Sequence, residues 1–214
     1  DVGDCVRVRR ADAVSLTVTG PMAAGVPVGT ENAVIRAAAL IGVTAAITLD
    51  KHLPAAAGIG GGSSDASATL RALARLDGRP VPEALSLGAD VPVCLLARAA
   101  RMRGIGEDVE AVGGLPVLDA VLVNPRVPVA TSDVFARLVR RDNPAMLKPL
   151  PRGRAKADFV RWLAAQRNDL EAPVRATCPQ IGAVLDRLVA SKGCALARMS
   201  GSGATCFGIF PDAG

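Results

Sequence analysis

Residues 53–78 read LPAAAGIGGGSSDASATLRALARLDG, and this stretch decides the fold. Four glycines fall in the five positions 58–62, and Ser63 and Ser64 follow directly. Glycine lets the backbone take positive φ and approach a ligand closely. From Ser64 or Asp65 the pattern turns helical, with Ala68, Leu70, Leu73, Ala74 and Leu76 apolar and Gly78 as the stop. A glycine loop that runs into a helix presents free N–H groups and the positive end of the helix dipole, which suits phosphate. The Ser63 and Ser64 hydroxyls can cap the helix, bond phosphate oxygens or help hold a metal ion. No Gly-Lys-Ser/Thr follows, so this is not a Walker A loop. Ser63 stands at the third glycine position of a dinucleotide fingerprint, which excludes that motif too. A glycine turn that only permits tight packing is the competing reading, and Ser-Ser at a helix start argues against it.

Before this stretch, residues 2–9, 14–18 and 46–50 read as strands and 32–41 as a helix, with a Gly/Pro loop at 19–30. After it, LGADVPVCLLA (87–97) is a turn into a short apolar segment, and RMRGIGEDVEAV (101–112) is a hairpin with glycine turns. Leu115–Pro116 is the expected domain boundary, giving domains 1–115 and 116–214. Beyond it, 117–123, 194–200 and 206–210 read as strands, and 132–140, 156–166, 170–176 and 181–191 as helices. The class is α+β.

The 214 residues are half apolar, but only 2% aromatic, with no Tyr. The core must therefore be built from Ala, Val, Leu and Ile. No uncharged apolar stretch reaches the ~18 residues of a membrane span, and the first residues lack a signal-peptide pattern. Five scattered cysteines, no CxxC and a single His argue against a zinc site or a disulfide framework and for a reduced, cytoplasmic setting. Net charge is +5, and it is uneven: −1 over residues 1–115 and +6 over 116–214. Arg140, Arg141, Lys148, Arg152, Arg154, Lys156 and Arg161 crowd one stretch. Such a field suits polyphosphate or nucleic acid. The near absence of aromatics for base stacking favours a solvated basic loop.

Three further features stand out. Asp90, between Ala89 and Val91, is costly to bury unpaired, so it should pair with a cation, do proton work or lie in a surface turn. Ser200-Gly-Ser-Gly-Ala-Thr205 is either a plain β-turn or a second set of N–H groups for phosphate. His52 has no nucleophile partner motif and reads as a surface residue, while Cys94 and Cys206 read as core residues in apolar strands.

The combination of GIGGGSSDA, GADVP and SGSGAT resembles the GHMP kinase superfamily of small-molecule kinases. GIGE, VNPRVPVATSDVF, RNDLEAPV and ARMSGSGATCFGIF extend the likeness over nearly the whole chain, closest to the branch that phosphorylates a cytidyl-diphospho-methylerythritol for isoprenoid precursors by the non-mevalonate route. The resemblance implies a two-domain fold, ribosomal-protein-S5-like then ferredoxin-like, with the site in the cleft between. It implies ATP and Mg²⁺, a small cytidyl diphosphate substrate, no nucleic-acid or membrane partner, no protein metal ligands, and a monomer or weak dimer. Pro54, Ala55, Ala56, Ala57, Gly58, Ile59, Gly60, Gly61, Gly62, Ser63 and Ser64 then wrap the ATP phosphates. Asn32 lies beside the adenine, Asp90 is the catalytic aspartate, and Thr131 and Phe135 lie at the cytidine end, with Phe135 stacking on the base. The family also carries an early catalytic Lys, which pairs with that aspartate, and a Tyr-His pair. Here the first Lys is Lys51, there is no Tyr, and His52 sits in another motif, so these groups are expected in residues outside this chain, as are a final helix and strand. Another GHMP kinase, of homoserine or mevalonate type, and a non-catalytic nucleotide-binding relative are the alternatives.

Overall fold

The computed structural model describes residues 2–55, 57–146 and 150–211. It divides into two compact units, residues 1–55 with 60–112, and residues 56–59 with 113–214.

In the first unit, strands β1 (Cys5–Arg10), β2 (Ser15–Thr19) and β3 (Ala45–Asp50) form a sheet in the order β1-β3-β2. β3 pairs antiparallel with β1 and parallel with β2. The β2-to-β3 crossover carries helix α1 (Ala33–Ile41). Its start is set by Asn32, whose side chain accepts from the Val34 amide at 2.8 Å, and its end by Gly42 in the left-handed region. α1 buries Val34, Ala37, Ala38 and Ile41, one face at helical spacing. Central β3 buries Ala45, Ile47 and Leu49 in alternation. Helix α2 (Gly61–Asp77) adds Ala66, Leu70 and Leu73 to the same core, which is aliphatic as the composition requires. Helix α3 (Val91–Leu96) and the antiparallel hairpin β4 (Ala100–Arg103) and β5 (Asp108–Ala111) complete the unit. Cys94 therefore lies on a helix rather than a strand, because Pro92 occupies the first turn, where its missing N–H costs nothing.

The second unit runs β6 (Asp119–Val123), α4 (Thr131–Ala136), α5 (Lys156–Ala164), α6 (Glu171–Thr177), α7 (Pro179–Val189), β7 (Leu196–Met199) and β8 (Cys206–Phe210). The sheet order is β6-β8-β7, and β8 is antiparallel to both neighbours. This is the split arrangement of ferredoxin-like folds. α7 supplies Ile181, Leu185 and Leu188 to its core, with Met199 and Cys206 from the sheet. α4 is shorter than the helix expected over 132–140. Only Val134 of it is buried, so nothing holds further turns in place.

Candidate active site

The glycine loop reaches helix earlier than its composition suggests. α2 begins at Gly61, with Gly60 at φ 67° as its N-cap and no side chain capping it. Ser63 and Ser64 thus stand inside the first turn and do not cap. The Ser64 amide already donates to the Gly60 carbonyl at 2.8 Å. As at any helix start, the preceding amides, Gly61 to Ser63, lie outside the helical ladder. Nothing stands within 4 Å of a β-carbon built on Gly60 or Gly62. A helix start with uncapped amides and no side chains around these glycines is suited to an anion by charge.

Beneath this helix start lies a charge cluster that sequence reasoning missed. Lys51 follows β3 and is 4% exposed. Its Nζ donates to Asp65 Oδ2 on α2 at 2.9 Å and to Asp4 Oδ2. Asp4 Oδ1 accepts from the amides of His52 at 2.6 Å and Leu53 at 2.8 Å. Burial alone would lower the Lys51 pKa, but its bonds to Asp4 and Asp65 outweigh this and raise it. Burial raises the Asp65 carboxyl, and Lys51 offsets only part of that. Burial also acts on Asp4, yet Lys51 and the two amides bring it below the usual value. Two carboxylates face one ammonium, and Asp65 is the less well compensated. The only sequence signal was a Lys-His pair opening the loop.

Asp90 lies at the head of α3. It is exposed and caps no amide, so the cost of burying an unpaired carboxylate does not arise. Two neighbours fix its segment. The Ser67 hydroxyl of α2 donates to the Val91 carbonyl at 3.1 Å, and the Arg71 guanidinium donates to the Cys94 carbonyl at 2.9 Å. Gly106, in the β4–β5 turn, lies where a β-carbon would collide with the Ala89 carbonyl. One helix, α2, therefore carries the open amides at its start and holds the Asp90 segment by side chains of its next turns.

In the second unit the turn 200–205 holds residues 57 and 58. Thr205 N donates to the Ala57 carbonyl at 3.0 Å, and Ser200 Oγ donates to the Gly58 carbonyl at 2.8 Å. Gly58, at φ 71°, approaches so closely that a β-carbon would stand 2.7 Å from Ser200 O. Thr131 and Ser202 share a hydroxyl hydrogen bond at 2.9 Å. Phe135 on α4 is 50% exposed. In the first unit Pro54 is half-buried, Ala55 is exposed and His52 is exposed. Asn32 is buried, and its amide nitrogen donates to the Pro27 carbonyl at 2.6 Å. With Val34 N on its oxygen, one N–H and one lone pair stay available. Ala56 and Lys148 lie outside the described residues. The basic stretch is partly neutralised, through Arg140–Asp142, Arg161–Asp158 and Lys156–Asp119.

The chain matches the GHMP kinases N terminal domain over residues 29–98 and the GHMP kinases C terminal family over 146–214. A 4-diphosphocytidyl-2-C-methyl-D-erythritol kinase of Cereibacter sphaeroides is 55% identical over 99% of this chain and 78% of its own length. One from Dinoroseobacter shibae is 56% identical over 98% of this chain and 74% of its own. The chain belongs to the 4-diphosphocytidyl-2-C-methyl-D-erythritol kinase family of GHMP kinases. A solved 4-(cytidine 5'-diphospho)-2C-methyl-D-erythritol kinase superposes on this GHMP kinase with a TM-score of 0.72, at 32% identity, covering 96% of this chain and 76% of that one. A homoserine kinase from Cytophaga hutchinsonii, at 18% identity and a TM-score of 0.68 over 100% of this chain and 78% of its own, shares the fold. Among the described residues of this GHMP kinase, no cluster of three or more His, Cys, Asp or Glu could hold a metal ion, and no helix is long and apolar enough to cross a membrane.

Proposed function

We infer that this protein transfers the γ-phosphoryl group of ATP to the 2-hydroxyl of 4-diphosphocytidyl-2-C-methyl-D-erythritol. The observation that carries this reading is α2 itself. It offers uncapped amides at its start and anchors the segment of an exposed carboxylate, Asp90, through Ser67. The substrate follows the names of the relatives.

In this reading Asp90 orients the acceptor hydroxyl and takes its proton. The hydroxyl oxygen bonds to the γ-phosphorus, the bond to the β-phosphate oxygen breaks, and ADP leaves. The amides at residues 60–63 and the α2 dipole stabilise charge on the phosphates. Segment 54–64 wraps them. Ser63 or Ser64 would be the protein contact of Mg²⁺, which would supply neutralisation of the phosphate charge when bound. Asn32 faces the adenine through its spare N–H or lone pair. Phe135 stacks on the cytosine beside Thr131.

An assay of ADP release with the cytidyl substrate, ATP and Mg²⁺ tests this. Asp90→Asn lowers turnover by ~10²–10⁴-fold while ATP still binds. Near-normal turnover in that variant would remove Asp90 from the mechanism. Turnover with homoserine or mevalonate but not with the cytidyl substrate would overturn the substrate assignment.

A further inference from the structure

The Asp4–Lys51–Asp65 cluster does more than fill a core. Each of its bonds reaches the chain at one stem of the glycine loop. Lys51 is the last residue before the loop, and Asp65 lies in the helix that the loop enters. Asp4 accepts from the amides of His52 and Leu53, the first two loop residues. All three side chains are nearly sealed from water, at 5%, 2% and 7% exposure for Lys51, Asp4 and Asp65. A β-carbon built on Gly61 would stand 3.6 Å from Lys51 Nζ, so the ammonium sits directly against the helix start.

A buried ammonium is a poor neighbour for the positive end of a helix unless carboxylates hold it there. Three buried charges beside one loop are expensive to desolvate, and apolar residues of similar size would serve packing at least as well. What apolar residues could not do is set the two stems in register through directed bonds.

We propose that Lys51 is a positioning residue for nucleotide binding: with Asp4 and Asp65 it clamps the two stems of the 52–60 loop and so sets the backbone amides that receive the phosphates of ATP. The inference rests on the kinase reading above. The clamp acts on the ATP side alone, because none of its bonds reaches Thr131 or Phe135, the residues assigned to the cytidine end.

The test is the Kd of ATP by titration calorimetry, alongside KM for the cytidyl substrate, for the wild type and two variants. Lys51→Met leaves two buried carboxylates without a cation and can fail to fold. The double variant Lys51→Gln with Asp65→Asn keeps hydrogen-bonding groups at both positions and removes one charge of each sign. Folding is checked by circular dichroism and thermal melting. The clamp predicts that the double variant melts cooperatively, binds ATP at least tenfold more weakly, and keeps KM for the cytidyl substrate within twofold. A merely structural role lowers the active fraction, and with it kcat, and leaves both constants unchanged. A folded double variant with wild-type ATP affinity overturns the clamp. So does a double variant that no longer melts cooperatively, since the cluster is then required for the core itself. If the wild type binds ATP but does not phosphorylate the cytidyl substrate, the substrate assignment fails, and the ATP affinities still decide the clamp. If the wild type binds no ATP, both fall.

Discussion

Gly106 lies against Ala89, close enough that a side chain at 106 would run into the Ala89 carbonyl oxygen. The residue after Ala89 is Asp90. The turn of the β4–β5 hairpin is thus a backstop for the segment that presents the carboxylate. Gly106 also has φ 108°, where an L side chain is strained. Gly106→Ala therefore pushes the Asp90 segment away and strains the turn, a cost of roughly 1–3 kcal/mol. The expected result is a fall in kcat of at least tenfold with ATP affinity kept. Unchanged kcat in a stably folded variant would show that the segment tolerates the shift.

Phe135 tests the other end of the substrate. Half of its surface is exposed on a short helix, so truncation leaves no cavity of consequence. Base stacking on an aromatic ring is worth about 1–3 kcal/mol. Phe135→Ala should raise KM for the cytidyl substrate by ~5–150-fold and leave KM for ATP and the melting temperature nearly unchanged. Equal weakening of both substrates would place Phe135 elsewhere in the mechanism.

The contact of Gly58 with Ser200 separates backbone from side-chain effects within the second unit. Gly58→Ala drives a methyl group into the Gly203 carbonyl oxygen and within 2.7 Å of the Ser200 carbonyl oxygen at φ 71°, and these are backbone atoms that cannot yield cheaply. Ser200→Ala removes one hydrogen bond, at 2.8 Å, worth about 0.5–1.5 kcal/mol. Melting curves should rank the two clearly, with Gly58→Ala the more damaging. The reverse order would mean that the turn, rather than the loop, adjusts.

Much of this was legible in the residues. α1 announces itself by Asn32 and Gly42 at its ends and a buried face at helical spacing between them. The β4–β5 hairpin is marked by Gly104 and Gly106. The start of α2 was not legible, because Gly61 and Gly62 are poor helix formers and read as a continuation of the loop. Pro92 did mark a helix start, but the apolar run after it fits a strand equally well. Lys51 was hidden for another reason. Between Asp50 and His52 it looks like surface charge, and its partners lie 47 residues before it and 14 after it. No local pattern encodes such a pairing. For Asp90 the sequence left a paired charge, proton work and a surface turn all open, because its apolar neighbours suggest burial while its own charge opposes it, and the structure places it exposed.

The charge imbalance in that cluster also makes stability depend on pH in two opposite ways. The Asp4 carboxyl is held below its ordinary 3.8, against burial, by Lys51 and the amides of Leu53 and His52. Its contribution is present above that value and is lost as pH falls through the lower folded value. Asp65 runs the other way. Burial holds its carboxyl above 3.8, so ionising it at neutral pH costs the folded state, and that cost vanishes only below 3.8. Asp65→Asn removes the cost and keeps an oxygen for the Lys51 ammonium. The variant should therefore be more stable than the wild type at pH 7. The gain should shrink as pH falls and be gone near pH 3.5, roughly where the ordinary carboxyl titrates. Asp4→Asn should instead lose stability at pH 7, because Asp4 is the better compensated of the two. Urea unfolding of the three proteins between about pH 2 and 8 measures both slopes. If Asp65→Asn lost stability at pH 7, both carboxylates would be needed to hold the buried lysine.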